Sequence, residues 1–116
     1  MTRADAEKRG RRGETIAAWW LRAHGWRVIA MRVKTRVGEV DLIARRGKIL
    51  TFVEVKTRAN PADLAYAVDE YRLRRVAAAA QLLWPRYAQP NDGVRIDVIL
   101  IAPWARPQHL VDVWRG

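Results

Sequence analysis

The sequence contains no cysteine, which excludes a disulfide framework, a zinc knuckle and a thiol nucleophile. Its two histidines, His24 and His109, are too few and too far apart for a typical zinc site. No apolar run approaches the roughly 18 residues that cross a bilayer, and the basic N-terminus lacks the apolar stretch of a signal peptide. These absences predict a soluble, cytoplasmic protein without membrane contact.

Acidic residues are also scarce, because 12 Asp and Glu stand against 22 Lys and Arg and leave a net charge of +10. Eighteen of these 22 basic residues are Arg, whose planar guanidinium group can bind two phosphate oxygens at once. A surface this positive attracts polyanions, of which nucleic acid is the commonest. An Arg-rich proteome would give the same bias, so the charge indicates a nucleic-acid partner without establishing it.

The length of 116 residues fits one domain, and the pattern divides the chain into a basic arm and a folded part. Residues 1–12 predict a flexible arm that could lie along a phosphate backbone, and residues 13–116 predict a single domain. We expect a helix over residues 13–24, ended by Gly25, and a strand over residues 26–33. The apolar stripe of this helix comprises Ile16, Ala17, Trp20 and Leu21. One face of the strand comprises Trp26, Val28 and Ala30.

Two further strands are predicted over residues 37–46 and 49–58. They are separated by Gly47 and Lys48, a Gly-X pair suited to a two-residue type II′ hairpin turn. The side chains expected on the buried face of this hairpin are Val40, Leu42, Ala44, Val53 and Val55.

Counting back from this turn pairs Asp41 with Glu54 and Glu39 with Lys56, all on the other face. Like charges directly opposite each other repel, and a divalent cation would remove the conflict between the two acids. Such a metal also supplies what phosphodiester hydrolysis needs, an activated water and a neutralised phosphate. Lys56 could orient that water or balance the phosphate charge. Alternatively, these residues form an ordinary solvated face with a Glu39–Lys56 ion pair.

The remainder of the chain predicts a second helix, capped by Asp69 and ended by Pro85, and then strands over residues 94–102 and 110–114. We expect Asp97 to pair with an arginine rather than to act in catalysis. The buried stripe of the helix comprises Leu73, Val76, Ala77, Ala80 and Trp84. The six tryptophans could stack on bases, but core or subunit contact is the simpler interpretation for most of them.

The acid and the Glu-X-Lys triplet around the hairpin resemble the PD-(D/E)XK nuclease superfamily. GEVDLI at residues 38–43 and FVEVKTR at residues 52–58 are more narrowly similar to the YraN family. That family comprises bacterial predicted endonucleases related to archaeal Holliday-junction resolvases. The likeness extends over about residues 13–102, with weaker matches at residues 13–14 and 95–98.

The resemblance implies a restriction-endonuclease-like α/β core, in the order α-β-β-β-α-β-β, with a mixed central sheet flanked by helices. It implies that Asp41 and Glu54 bind Mg²⁺ or Mn²⁺ and that Lys56 is the catalytic lysine. Glu14 matches a helix-borne acid that reaches the metal directly or through water, although an acid in a first helical turn also complements the helix dipole. Glu39 is a possible accessory residue. The basic residues expected to contact nucleic acid are Arg11, Arg12, Arg32, Lys34, Arg36, Arg58, Arg72 and Arg75.

Three positions depart from the family pattern: Val40 replaces a proline, Arg32 an asparagine and Arg72 a lysine. The expected function is metal-dependent endonucleolytic hydrolysis of DNA, at branched structures by analogy with resolvases, by a homodimer. An alternative is a nucleic-acid-binding module that has the nuclease fold but little or no activity. A third interpretation is an RNA- or ribosome-directed protein.

Overall fold

The computed structural model describes residues 2–60, 62 and 69–114. Its elements follow the predicted order: α1 (Arg3–Ala23), β1 (Arg27–Lys34), β2 (Glu39–Arg46), β3 (Ile49–Thr57), α2 (Glu70–Tyr87), β4 (Gly93–Ile101) and β5 (Gln108–Leu110). The five strands form one sheet in the order β1-β2-β3-β4-β5. β3 and β4 pair in parallel, whereas the other neighbours pair antiparallel. The predicted mixed sheet is therefore confirmed.

Each face of the sheet is covered by one helix and has its own apolar cluster, as the prediction of flanking helices requires. The cluster under α1 includes Ala17, Leu21, Trp26, Leu42, Val53 and Ile99. The cluster under α2 includes Ile43, Phe52, Leu73, Val76, Leu83 and Val98. Each large apolar side chain buried in this way stabilises the fold by roughly 1.5–3 kcal/mol. None of the helices in the described ranges combines the length and apolar character needed to span a membrane.

Helix α1 begins at Arg3, ten residues before its predicted start. Residues 3–12, predicted as a flexible arm, thus form its first turns, since Ala, Glu, Lys and Arg are strong helix formers and outweigh Gly10. The buried stripe also differs from the prediction: Ala18 is buried, whereas Ile16 is 42% exposed. Leu21 and Ala17 are buried as predicted.

Helix α2 is capped by Asp69 as predicted, because the Asp69 side chain accepts a hydrogen bond of 2.8 Å from the Tyr71 amide. Pro85 lies inside the last turn rather than beyond the end of the helix. Proline lacks the amide hydrogen that an interior helix position needs, but only the last two residues of α2 follow it. The stripe of α2 is shifted by one residue at this end, so that Leu83 is buried and Trp84 is exposed.

Two strand predictions also need correction. The β1–β2 register shifts between Val28 and Ala30, so Ala30 packs on the α2 side and Val28 on the α1 side. Val40 likewise packs on the α2 side, away from the predicted face. The last strand is Gln108–Leu110 instead of residues 110–114, because Asp112, with a φ of 56°, ends the extended conformation.

Candidate active site

The β2–β3 hairpin has the predicted register next to its turn. Gly47 has a φ of 60°, the sign that the first central residue of a type II′ turn requires. The pairs then run back from the turn as far as Leu42 opposite Val53. The hairpin therefore brings the two predicted sequence motifs side by side.

Beyond this point the strands separate, and Asp41 is where the regular pairing stops. The predicted pair of Asp41 with Glu54 is not part of the ladder. Instead, Oδ2 of Asp41 accepts a hydrogen bond of 2.7 Å from the Val55 amide. The β1–β2 pairing also skips Asp41 and the position opposite it, Arg32, whose φ is 52°. A side-chain carboxylate thus replaces a main-chain acceptor at the open end of the hairpin.

Four acidic residues from three elements lie within electrostatic range of one another: Glu14, Glu39, Asp41 and Glu54 (the acid group). Burial, together with the charges of the other three acids, raises the pKa of Asp41 to about 6, against the bond from the Val55 amide. Among the described residues, no Lys, Arg or His lies within ion-pair distance of Asp41. The charge of Asp41 is therefore buried among acids without a cationic partner in the described part of the chain.

Glu54 and Lys56 form a buried ion pair on β3, with only 4% of each residue exposed. Lys56 Nζ lies 2.9 Å from Glu54 Oε1, and Arg72 Nε on α2 lies 3.3 Å from the same oxygen. Burial lowers the pKa of Lys56, and the hydrogen bond to Glu54 opposes this shift. The predicted Glu39–Lys56 pair is absent from the β2–β3 ladder, because Lys56 turns to the acid on its own strand.

Glu14 reaches the acid group from α1, and a glycine makes this approach possible. A Cβ atom on Gly13 would lie 2.0 Å from Thr57 Cγ2, so α1 contacts β3 with no side chain between them. Glu14 Oε1 pairs with Arg32 Nε at 2.7 Å. Burial raises the pKa of Glu14, and the positive charge of Arg32 opposes this.

The hairpin and α2 enclose the polar side of the site. A cavity of about 120 Å³ between them is lined by Glu39, Glu54, Arg72, Arg75 and Val76. A Cβ atom on Gly38 would lie 2.5 Å from the Arg75 carbonyl oxygen, so the start of β2 packs directly on the backbone of α2. This contact brings the two predicted phosphate-binding arginines of α2 to the acid group.

The other predicted nucleic-acid contacts occupy different positions. Arg11 and Arg12 are exposed on α1, and Lys34 and Arg36 are exposed at the β1–β2 connection. Arg58 follows β3 and is half-buried, and its Nη1 donates to the Thr57 carbonyl at 2.8 Å. The structure thus distributes these basic groups around the site rather than in one row.

Asp97 is fully buried in β4 and pairs with Arg95 at 3.1 Å, as predicted. Sequence reasoning missed two further partners, His109 Nε2 at 2.7 Å and the Asp112 amide at 2.9 Å. Burial alone would raise the pKa of Asp97, but these hydrogen bonds and Arg95 together lower it. The signal available in the sequence was the charged residue itself, since a carboxylate in an apolar strand must be paired.

The carboxylate oxygens of the acid group do not form a complete metal-binding site in this structure. Within residues 2–60, 62 and 69–114, no three Asp, Glu or His side chains are placed closely enough to hold a metal ion as they stand. Two acids of the group are instead paired with cations, Glu14 with Arg32 and Glu54 with Lys56 and Arg72.

Residues 13–101 match the model of a family described as "Uncharacterised protein family UPF0102". The chain belongs to this family. A UPF0102 protein of Rhizorhabdus wittichii is 68% identical over 98% of this chain and 97% of its own. The UPF0102 protein of Sphingopyxis alaskensis is 62% identical over 99% of this chain and 99% of its own. That of Caulobacter vibrioides is 46% identical over 96% of this chain and 90% of its own. The family resemblance of the hairpin motifs is thereby confirmed.

A solved structure shares the fold of this UPF0102 member. It is Hjc of Archaeoglobus fulgidus, described as a Holliday junction resolvase from an archaeal hyperthermophile. The TM-score is 0.60 at 18% sequence identity, over 86% of this chain and 73% of that chain. The predicted restriction-endonuclease-like architecture is confirmed by this likeness.

Proposed function

We propose that this chain is a nuclease that hydrolyses phosphodiester bonds in DNA with Mg²⁺ or Mn²⁺, with its centre at Asp41, Glu54, Lys56 and Glu14. The observation that carries the proposal is Asp41, a partly buried carboxylate surrounded by acids in a chain of net charge +10. Charge left uncompensated in a basic protein is typical of a site that receives a cation or reacts. The fold shared with a protein described as a resolvase supports the same reaction class.

The donor set fits a divalent cation in its chemistry. Asp41, Glu54 and Glu14 would hold it, because carboxylate oxygens are the ligands that Mg²⁺ and Mn²⁺ prefer. Asp41 uses only Oδ2 for the Val55 amide. Glu14 and Glu54 would turn from Arg32 and Arg72, which are 42% and 60% exposed in their side chains and can move. When bound, the metal would activate a water and neutralise the scissile phosphate.

The chain's own residues position the substrate. Lys56 Nζ, fixed by Glu54, would donate to a phosphate oxygen and stabilise the charge that develops there. Arg72 and Arg75, at the mouth of the 120 Å³ cavity, would hold the phosphates on either side. The Val55 amide keeps the Asp41 carboxylate oriented throughout.

The finer points of the proposal concern the substrate and the assembly. Branched DNA is the substrate that the shared fold favours, and a symmetric homodimer would let two sites cut two strands. Such an enzyme would act in the cytoplasm, where DNA is accessible to it.

The test incubates the purified chain with linear, flap and four-way DNA, and with RNA of the same sequence, in Mg²⁺, Mn²⁺ or EDTA. We expect DNA cutting that requires metal and is abolished by Asp41→Asn and by Glu54→Gln. Glu70→Gln is the matched control, because it makes the same isosteric change at an exposed position of α2. Its cutting should equal that of the unchanged chain.

The second candidate, a binding module without activity, is favoured by the ion pairs that engage Glu14 and Glu54. If those pairs persist, the acids serve folding alone. DNA binding that survives Asp41→Asn and Glu54→Gln, with no cutting in any metal, would replace the nuclease by this module.

A further inference from the structure

Trp104 is the side chain that neither the fold nor the proposed centre uses. It lies in the turn between β4 and β5, fully exposed, with a φ of 62° and a proline on either side at Pro103 and Pro107. Prolines restrict the backbone of a turn, so the position from which this indole projects is constrained. Aromatic faces held in solvent near basic groups are typical platforms for nucleic-acid bases.

The same turn borders an apolar groove of about 280 Å³. Its lining includes the apolar residues Ile16 of α1 and Pro103 and the basic residues Arg12 and Arg58. The groove is large enough for a single base, because a cavity of about 150 Å³ already accepts a benzene ring. An apolar lining with two basic residues matches a nucleotide, whose base has flat apolar faces and whose phosphate is anionic.

The groove and the proposed centre lie at the same end of β3 but on opposite faces of the strand. Thr57 packs on Gly13 of α1, whereas Glu54, bonded to Lys56, pairs with Arg72 of α2. Gly13 and Thr57 line the groove, and the residues beside them in the chain are Glu14 and Lys56. Because β3 and β4 are parallel, with Lys56 opposite Leu100, both strands end at this edge of the sheet. A DNA strand that passes over this end of β3 would therefore reach both the groove and Lys56.

We propose that the groove binds one unpaired nucleotide of DNA, with its base on the apolar lining and stacked against Trp104 and its phosphate between Arg12 and Arg58. The inference rests on the proposed function, because it takes the cleaved phosphate to lie at Lys56. It assigns the substrate class: DNA with an unpaired nucleotide beside the cut, as in a flap, an overhang or an open junction. Arg58 is held ready by its bond to the Thr57 carbonyl.

The test measures binding in EDTA, so that no cutting is required. Affinity for a flap duplex and for a blunt duplex is compared at one salt concentration by fluorescence anisotropy. Trp104→Ala should weaken flap binding about tenfold, the effect of losing one stacked base, and leave blunt-duplex binding unchanged. Trp104→Phe should retain most of the affinity. Trp84→Ala, which removes another exposed tryptophan from α2, is the matched control and should alter neither.

Two further measurements locate the base. The fluorescence of 2-aminopurine at the unpaired position should be quenched by the unchanged chain and far less by Trp104→Ala. Ile16→Glu places a carboxylate in the groove lining and should also reduce flap binding selectively. Melting temperatures check that these surface variants fold.

Equal binding of Trp104→Ala and the unchanged chain to the flap would overturn the subsite, as would an equal loss for flap and blunt duplex. The nuclease proposal is read separately, from cutting and its loss in Asp41→Asn. Cutting by the unchanged chain, without any effect of Trp104→Ala on flap binding, would support the nuclease proposal and overturn the subsite. Base stacking that depends on Trp104, without cutting in any metal, would support the subsite and overturn the nuclease proposal.

Discussion

Two acids in one sheet have pKa shifts of opposite sign, although burial raises the pKa of both. Asp97 is fully buried, yet bonds from His109 and Arg95 among others lower its pKa. Asp41 accepts a hydrogen bond from the Val55 amide but has no ion pair with a cation among the described residues, and its pKa rises to about 6. Asp97 is therefore explained by folding alone. The charge of Asp41 is a cost to the fold that only a ligand would offset.

Asp41→Asn should stabilise the protein at neutral and alkaline pH. Because folding raises the pKa of Asp41 from 3.8 to about 6, ionisation of this group destabilises the folded state progressively as pH rises through that range. Asparagine carries no charge, and its amide oxygen can still accept from the Val55 amide. We expect the free energy of unfolding to rise by about 1–3 kcal/mol near pH 8 and to be unchanged near pH 4. Urea denaturation in EDTA measures it.

Millimolar Mg²⁺ extends this experiment. A ligand that binds only the folded state stabilises it, so Mg²⁺ should raise the urea midpoint of the unchanged chain and not that of Asp41→Asn. Equal stability of the two chains at both pH values would mean that the Asp41 charge is already compensated, and that the site has no demand for a cation.

The local conformation of Asp41 could not be predicted from the sequence. The alternating pattern and the Gly47 turn determine which residues oppose each other up to Leu42 and Val53. They contain no signal for the positive φ of Arg32 or for the capture of the Val55 amide by a side chain. That geometry depends on three strands and on α1 together, and it becomes visible only in the fold.

At the scale of elements, predictions succeeded where the signal is local. The Asp69 cap of α2 and the Gly-X turn each depend on neighbouring residues alone. The first turns of α1 were missed because they lack an apolar stripe, and a stripe was the signal sought. Ala30 and Val40 lie on the face opposite to the predicted one, Ala30 because of the register shift in β1 and Val40 because the regular pairing breaks at Asp41. A strict two-residue alternation cannot predict such irregularities.

Glycines on α1 give the second prediction. Gly13→Ala should destabilise the protein by about 1–3 kcal/mol, because the new Cβ atom would lie 2.0 Å from the Thr57 methyl group. Gly10→Ala is the matched control, since nothing lies within 4 Å of its Cβ position, and it should stabilise by about 0.5–1 kcal/mol. Thermal or urea unfolding measures both.

A double variant separates crowding from other causes. Thr57→Ala removes the methyl group, and the remaining Thr57 Cβ would lie 3.5 Å from the new atom, an ordinary contact. Gly13→Ala should therefore cost much less when it is combined with Thr57→Ala. An equal cost in both backgrounds would show that α1 is not seated on β3 through Gly13.

At the scale of the whole molecule, several of the described acids lie inward and many of the basic groups lie outward. Side chains largely removed from solvent include those of Glu14, Glu54, Asp92 and Asp97, with exposed fractions of 14% or less. Asp92, for example, accepts hydrogen bonds from both terminal guanidinium nitrogens of Arg45, Nη1 and Nη2. Because each of these acids is paired with a basic group, the net charge of +10 is carried by the rest of the chain.

DNA affinity should therefore fall steeply with salt. Release of counterions predicts a loss of about a thousandfold between 50 and 200 mM salt if about six phosphates are contacted. Arg75→Gln, at the site cavity, should reduce the slope of log Kd against log salt by about one. Lys48→Gln, in the β2–β3 turn at the other end of the hairpin, is the control and should leave it unchanged. Equal slopes for all three chains would place the DNA away from α2.

The contact of Gly38 with the Arg75 carbonyl has a mechanical consequence. Where two backbones touch, no side-chain rotation can widen the gap. The distance between the start of β2 and α2 is therefore set by main-chain contact. The backbones that carry Glu39 and Arg72 are then held at a set spacing before any substrate arrives. A DNA strand that presses on α2 would transmit its force to Gly38, the residue next to Glu39. No flexible side chain lies between the two backbones to absorb it.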